Sequence, residues 1–286
     1  MEPHHEDIGD WYVSKPDRLK PDVLGPEDAT NFENMNNTYT NGDASLFKVR
    51  DRGYVEGWNK EKSPSDASAY DCVGINVFRC RSNLEHIASK VDSLRQYIDQ
   101  HRSNKESKEP EFLLFTWLFQ SMWTREYTAV VHLFRKSSMW SLSGNPNEYD
   151  GFQRTFSKFL DMSDKDKSSR VKFCAKLLVA PSLVKSTASK LGGERPVIIC
   201  KKLNSKFHRG DNYLEINMDV GSSKIASMMN STILKACSKI VVEESWILEG
   251  QEEDELPERV LGSVRSHFIH LDSTRVQLDA DYKPVL

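Results

Sequence analysis

From Tyr213 the sequence alternates strictly. Leu214, Ile216, Met218 and Val220 fall on one side, and Tyr213, Glu215, Asn217 and Asp219 on the other. Period two over eight residues predicts a strand with one face buried and one face wet or lining a polar site. Then the period changes. After Gly221-Ser222-Ser223, apolar residues recur at Ile225, Met228, Met229, Ile233, Leu234, Cys237, Ile240, Val241, Ile247 and Leu248. This spacing predicts one helix, capped by Ser222 or Ser223, running to Glu249 and stopped by Gly250. About 27 residues at 1.5 Å rise make a rod of roughly 40 Å. So wide an apolar stripe has to lie on a sheet.

The upstream segments supply that sheet. LFKVRDRGY and YDCVGINVFRC are short apolar runs bounded by turn residues and read as strands. Between Asn83 and His101, Leu84, Ile87, Val91, Leu94 and Ile98 form one helical stripe. EFLLFTWLFQ and REYTAVVHLFRK flank a short connection and predict a hairpin. A helical piece is expected from Phe152 to Leu160, then strands at RVKFCAKLLV and PVIICKKL. LPERVLGSVRSHFIHLD predicts a final strand after the long helix. The class is therefore α+β, a curved antiparallel sheet gripping one long C-terminal helix. This strand and helix order suggests a START-like helix grip.

The chain has 286 residues. Residues 1–45 are rich in Asp, Asn, Pro, Gly and Thr with isolated apolar positions, and read as an extended or partly disordered arm. Residues 46–286 are expected to form a single domain. The formal net charge is −3, from 39 basic and 42 acidic residues, which gives no reason to expect nucleic acid as a partner. Five scattered cysteines without a C-x-x-C pair predict reduced, buried thiols rather than a zinc ribbon or a disulfide framework. The opening MEPHHEDIGD has no apolar h-region, and Glu2 stands where myristoylation needs glycine. The longest strongly apolar run, Phe112 to Phe119, is far short of the roughly 20 residues of a membrane span. The expectation is a cytoplasmic protein with no transmembrane segment, whose membrane contact is peripheral.

Between Pro196 and Asp272, RPVIICKKL, HRGDNYLEINMDVGSS, ILEGQEEDELPERVLGSVR and LD follow one another in an order that resembles the C-terminal domain of the plant enhanced disease resistance 2 family. FKVRDRGY, CVGINVFRC and VKFCAKLLVAPSLVKSTA resemble its earlier stretches, so the likeness covers about residues 46–275. Asn76 departs from the family's usual Asp, and FTWLFQSMWTREYTAVVHLF lacks its usual Asn and Pro. In the family this domain often follows a pleckstrin-homology domain and a START lipid-transfer domain, and those proteins are linked to phosphoinositide membranes. This chain looks like the stand-alone version. The resemblance implies a lipid or phosphoinositide membrane surface as partner, and peripheral attachment to endomembranes. A protein partner stays open as the alternative.

Candidate ligand-binding residues follow from chemistry. Lys201, Lys202, Lys206 and Arg209 lie within nine positions and offer cations to a lipid phosphate, worth about 1 kcal/mol each near an anionic leaflet. Lysines also guard strand edges against pairing. Arg209 and Tyr213 flank a Gly210-Asp211-Asn212 turn and can reach a headgroup, or Arg209 can pair with Glu215 or Asp219 in a purely structural way. Met228 and Met229 are core residues or one wall of a lipid cavity. Glu215, Asn217 and Asp219 share a face suited to a hard cation or to acid/base work, yet no nucleophile or base accompanies them. The acidic run Glu249 to Glu258 reads as a solvated turn. No G-x-S-x-G, P-loop, G-x-G-x-x-G or H-E-x-x-H occurs. The expectation is a non-enzymatic module with no catalytic residue, metal or cofactor. It holds a lipid monomer between sheet and long helix, or acts as a protein-interaction module without a lipid.

Overall fold

Phe112–Gln120 is apolar at nearly every position, so both of its faces have to be covered, and this requirement organises the molecule. The computed structural model describes residues 36–102, 108–121, 124–142, 144–190, 194–222 and 236–285. The strands are β1 (Thr38–Asn41), β2 (Lys48–Arg50), β3 (Lys62–Pro64), β4 (Tyr70–Cys80), β5 (Phe112–Gln120), β6 (Tyr127–Lys136) and β7 (Val171–Val179). They continue with β8 (Val197–Ile198), β9 (Asn204–Arg209), β10 (Tyr213–Asp219), β11 (Val241–Leu248), β12 (Val260–His267) and β13 (Arg275–Gln277). Among the described residues, eleven strands make one curled sheet with the path β8-β7-β11-β12-β4-β6-β5-β10-β9, while β1 and β13 pair off that path with β12 and β4. β2 and β3 form a separate two-stranded ribbon.

The sheet is mixed rather than purely antiparallel. The predicted β5–β6 hairpin is present with Phe115 opposite His132. β10 lies parallel to β5, however, and β4 parallel to β12. A parallel neighbour cannot be reached by a tight turn, and long stretches of sequence separate each of these pairs.

Alternation sorts the side chains into two cores. On the concave face Leu113, Phe115, Phe134, Leu214, Ile216, Met218, Trp246 and Leu261 pack together. Helix α3 (Gly151–Asp161) closes one end with Phe152, Phe156 and Phe159 against Tyr70 and Trp140. An Asp150–Gln153 capping box starts this helix. On the convex face Phe112, Leu114, Leu118, Ala129, Val131 and Leu133 are covered by Leu84, Ile87, Val91, Leu94 and Ile98. That apolar stripe belongs to two helices, α1 (Ile87–Lys90) and α2 (Asp92–Gln100), since Val91 has extended backbone between them. Each fully buried large side chain contributes about 1.5–3 kcal/mol by removal from water.

The predicted 222–249 helix is corrected in its C-terminal half. Residues 223–235, including Met228 and Met229, lie outside the described residues. Cys237–Lys239 is a single 3-10 turn, and Val241–Leu248 is the strand β11 between β7 and β12. The physical reason is burial on both faces. Val241 and Ile247 point to one side of β11, while Trp246 and Leu248 point to the other, so apolar doublets mimic a spacing of three and four. The strand that follows it is present as β12. PVIICKKL is corrected as well: only Val197–Ile198 is strand, and Ile199–Lys202 forms a helical turn, α4.

Candidate functional site

The cations predicted to share a mouth are divided by strand alternation. Lys201 and Lys202 are exposed on α4. Lys206 projects from β9 to the convex side, where its Nζ lies 2.7 Å from Glu85 Oε2. Arg209, three residues on, takes the other face and donates to the Lys108 carbonyl at 2.5 Å. Tyr213 is on the convex side, its hydroxyl 2.7 Å from His86 Nε2. Gly210 is required for close approach, since a Cβ there would sit 2.2 Å from the Tyr213 ring. Asp211 pairs with Arg102, and Asn212 donates to the Ile98 carbonyl at 2.9 Å, so this turn is tied to α2 rather than to its own backbone.

The polar face of β10 is buried, and its chemistry is consumed locally. Glu215 is fully buried. Its two carboxylate oxygens accept the Ile87 and Ala88 N–H groups at 3.1 and 3.0 Å, and Thr116 and Asn217 donate to it as well. Burial pushes the Glu215 carboxyl upward, against the hydrogen bonds that favour its charged form. Asn217 Oδ1 accepts the His86 N–H at 2.7 Å. His86 itself has left-handed backbone, with φ +58°. Its ring stacks on His208 at 4.3 Å between centroids. Glu215 and Asn217 thus supply from a distant strand the cap that the sequence before α1 lacks. Sequence reasoning saw the shared face but missed this role, because the unsatisfied N–H groups are over a hundred residues away.

Among the described residues, the concave face carries half-buried apolar side chains packed against its core. Phe115 stacks on Trp246 at 4.5 Å, and Phe134 and Phe173 contact the same indole at 5.5 and 5.4 Å. From this floor the lining runs outward to Trp117, Phe119, Val130 and Phe173, all half-buried. One polar group interrupts it. His132 Nε2 lies 3.3 Å from Glu244 Oε2, and Ser266 Oγ lies 3.5 Å from the same oxygen.

A family model described as "Protein ENHANCED DISEASE RESISTANCE 2, C-terminal" matches residues 39–270. The chain belongs to this family. An Arabidopsis thaliana protein named "Protein ENHANCED DISEASE RESISTANCE 2-like" is 24% identical over 250 residues, which cover 87% of this chain and 31% of that protein. The chain therefore spans about a third of the length of this curated relative. No solved structure matches it.

The motifs on which the sequence resemblance rests are, in this structure, mainly frame. HRGDNYLEINMD fastens β10 to α1 and α2, as above. In GQEEDELPE the acidic run is not a solvated turn, because Glu249, Glu255 and Glu258 are buried. Arg170 donates to Glu255 at 2.5 Å and to the Glu249 carbonyl at 3.0 Å. Lys172 Nζ meets Glu258 at 2.6 Å, and Arg50 meets Glu249 at 2.8 Å. Glu258 also accepts the Gly250 and Arg50 N–H groups. This network clasps the β2–β3 ribbon, β7 and the β11–β12 connection. No described helix is long and apolar enough to cross a membrane.

Proposed function

We propose that this domain is a non-catalytic lipid-binding module, and that its concave face receives the apolar body of one lipid monomer. The observation that carries the reading is the half-buried aromatic lining at Trp117, Phe119 and Phe173, continuous with a packed aromatic floor on the inside of a curled sheet. Water-contacting aromatic surface on a concave face is the usual material of a small-molecule site. Membership of the enhanced disease resistance 2 family and the curled sheet are both consistent with a START-like domain. In this reading the protein associates peripherally with a lipid surface to load or unload. The exposed Lys201 and Lys202 contribute attraction to anionic lipid, and Lys206 and Arg209 serve the frame first.

Native mass spectrometry after incubation with mixed phospholipid and neutral-lipid vesicles tests this. The expected result is one lipid per chain, lost on Trp117→Ala/Phe173→Ala. A chain that stays lipid-free in every mixture contradicts it.

A second reading, a protein-docking module, is favoured by one feature. Trp58 is 70% exposed at the tip of the loop before β3, with Val55 beside it in the sequence. Trp58→Ser would abolish partner capture on that reading and leave lipid uptake unchanged.

A further inference from the structure

The floor of the concave face holds two buried polar atoms with no partner, His132 Nδ1 and Trp246 Nε1. His132 is 3% exposed and Trp246 is fully buried, and their rings lie 5.1 Å apart between centroids. Buried polar atoms are costly to leave unpaired. Their chemistry is complementary. An indole N–H can only donate. In the tautomer that places the ring proton on Nε2, facing the Glu244 carboxylate, Nδ1 is the acceptor. The pair therefore asks for one group that both accepts and donates.

We infer that the lipid held on this face is an apolar molecule bearing a free hydroxyl, of the sterol, diacylglycerol or long-chain alcohol class, rather than one headed by phosphate. Its hydroxyl oxygen accepts from Trp246 Nε1 and its hydrogen is given to His132 Nδ1. A phosphodiester offers only acceptors, which leaves His132 unanswered, and a phosphate of either kind would bring negative charge against the Glu244 carboxylate. Among the described residues the only ion pair of Glu244 is with His132. The inference rests on the lipid reading above and narrows it to a ligand class.

Ligand-side chemistry tests it without altering the protein. Three probes share one pyrene-labelled acyl backbone: a diacylglycerol, its acetate ester, and the corresponding phosphatidic acid. Each is titrated into the full chain and followed by pyrene fluorescence. The expected result is that the diacylglycerol binds, and that the acetate and the phosphatidic acid bind at least about tenfold more weakly, the scale of one buried group left unpaired. His132→Phe should then shrink the preference for diacylglycerol over its acetate. Equal binding of all three, or tightest binding of phosphatidic acid, overturns the hydroxyl inference while leaving lipid binding intact. Failure of all three to bind overturns both.

Discussion

Glu255 shows how one side chain ties pH to stability. Burial alone would raise its carboxyl, but hydrogen bonds from Arg170, the Gln251 N–H and Lys158 outweigh burial and hold it down at about 2. A carboxylate depressed from an ordinary 4.5 contributes stability that is present above 4.5 and is lost as pH falls toward 2. We expect the unfolding free energy from urea titrations to fall across that window by up to about 1.4 kcal/mol per pH unit, the slope of one proton, and Glu255→Gln to flatten the fall. Glu215 acts with the opposite sign. Its carboxyl is raised by burial, so its contribution is fully present below the ordinary value and declines as pH rises through the folded one. Removing a partner is harsher than titration. Arg170→Ala leaves Glu255 buried with much of its charge uncompensated and should cost about 3–5 kcal/mol in chemical denaturation. None of this was legible in the sequence. GQEEDE is as acidic as a solvated turn would be, and its cations sit eighty residues upstream in β7 and two hundred upstream in β2.

At the scale of elements, the readable parts were those whose burial is one-sided or whose partner is adjacent. The α1–α2 stripe, the β5–β6 hairpin and α3 all emerge from local spacing. β11 does not, because a strand buried on both faces carries no period of two. The attachment of α1 was also hidden, although its cause, Glu215 and Asn217 on one strand face, was in view. Glu215→Ala should cost about 1–3 kcal/mol by orphaning two buried N–H groups. Hydrogen exchange at Ile87 and Ala88 should quicken most, while the β5–β6 hairpin stays protected. Uniform acceleration of both would mean that Glu215 stabilises the whole sheet rather than one helix start. In the end-cap, Phe156→Ala should cost about 3–5 kcal/mol, because it empties a ring contacting Tyr70, Trp140, Phe152 and Phe159.

For the whole molecule, the curl of the sheet separates two jobs. The convex face and the acidic clasp hold the fold together. The concave face carries half-buried aromatics that the frame does not use. The sequence-predicted site was drawn to the first group, because its motifs are conspicuous and its cations are close in sequence. Strand alternation then sends Lys206 and Tyr213 to one side and Arg209 to the other. In the proposed function the ligand lies at Trp117, Phe119 and Phe173, away from the motif residues at the β9–β10 turn. Photocrosslinking with a diazirine-bearing diacylglycerol, followed by peptide mapping, tests this directly. Adducts confined to peptides spanning 112–120, 127–136 and 171–179 are the predicted result. Adducts concentrated on 85–102 and 204–215 would contradict it.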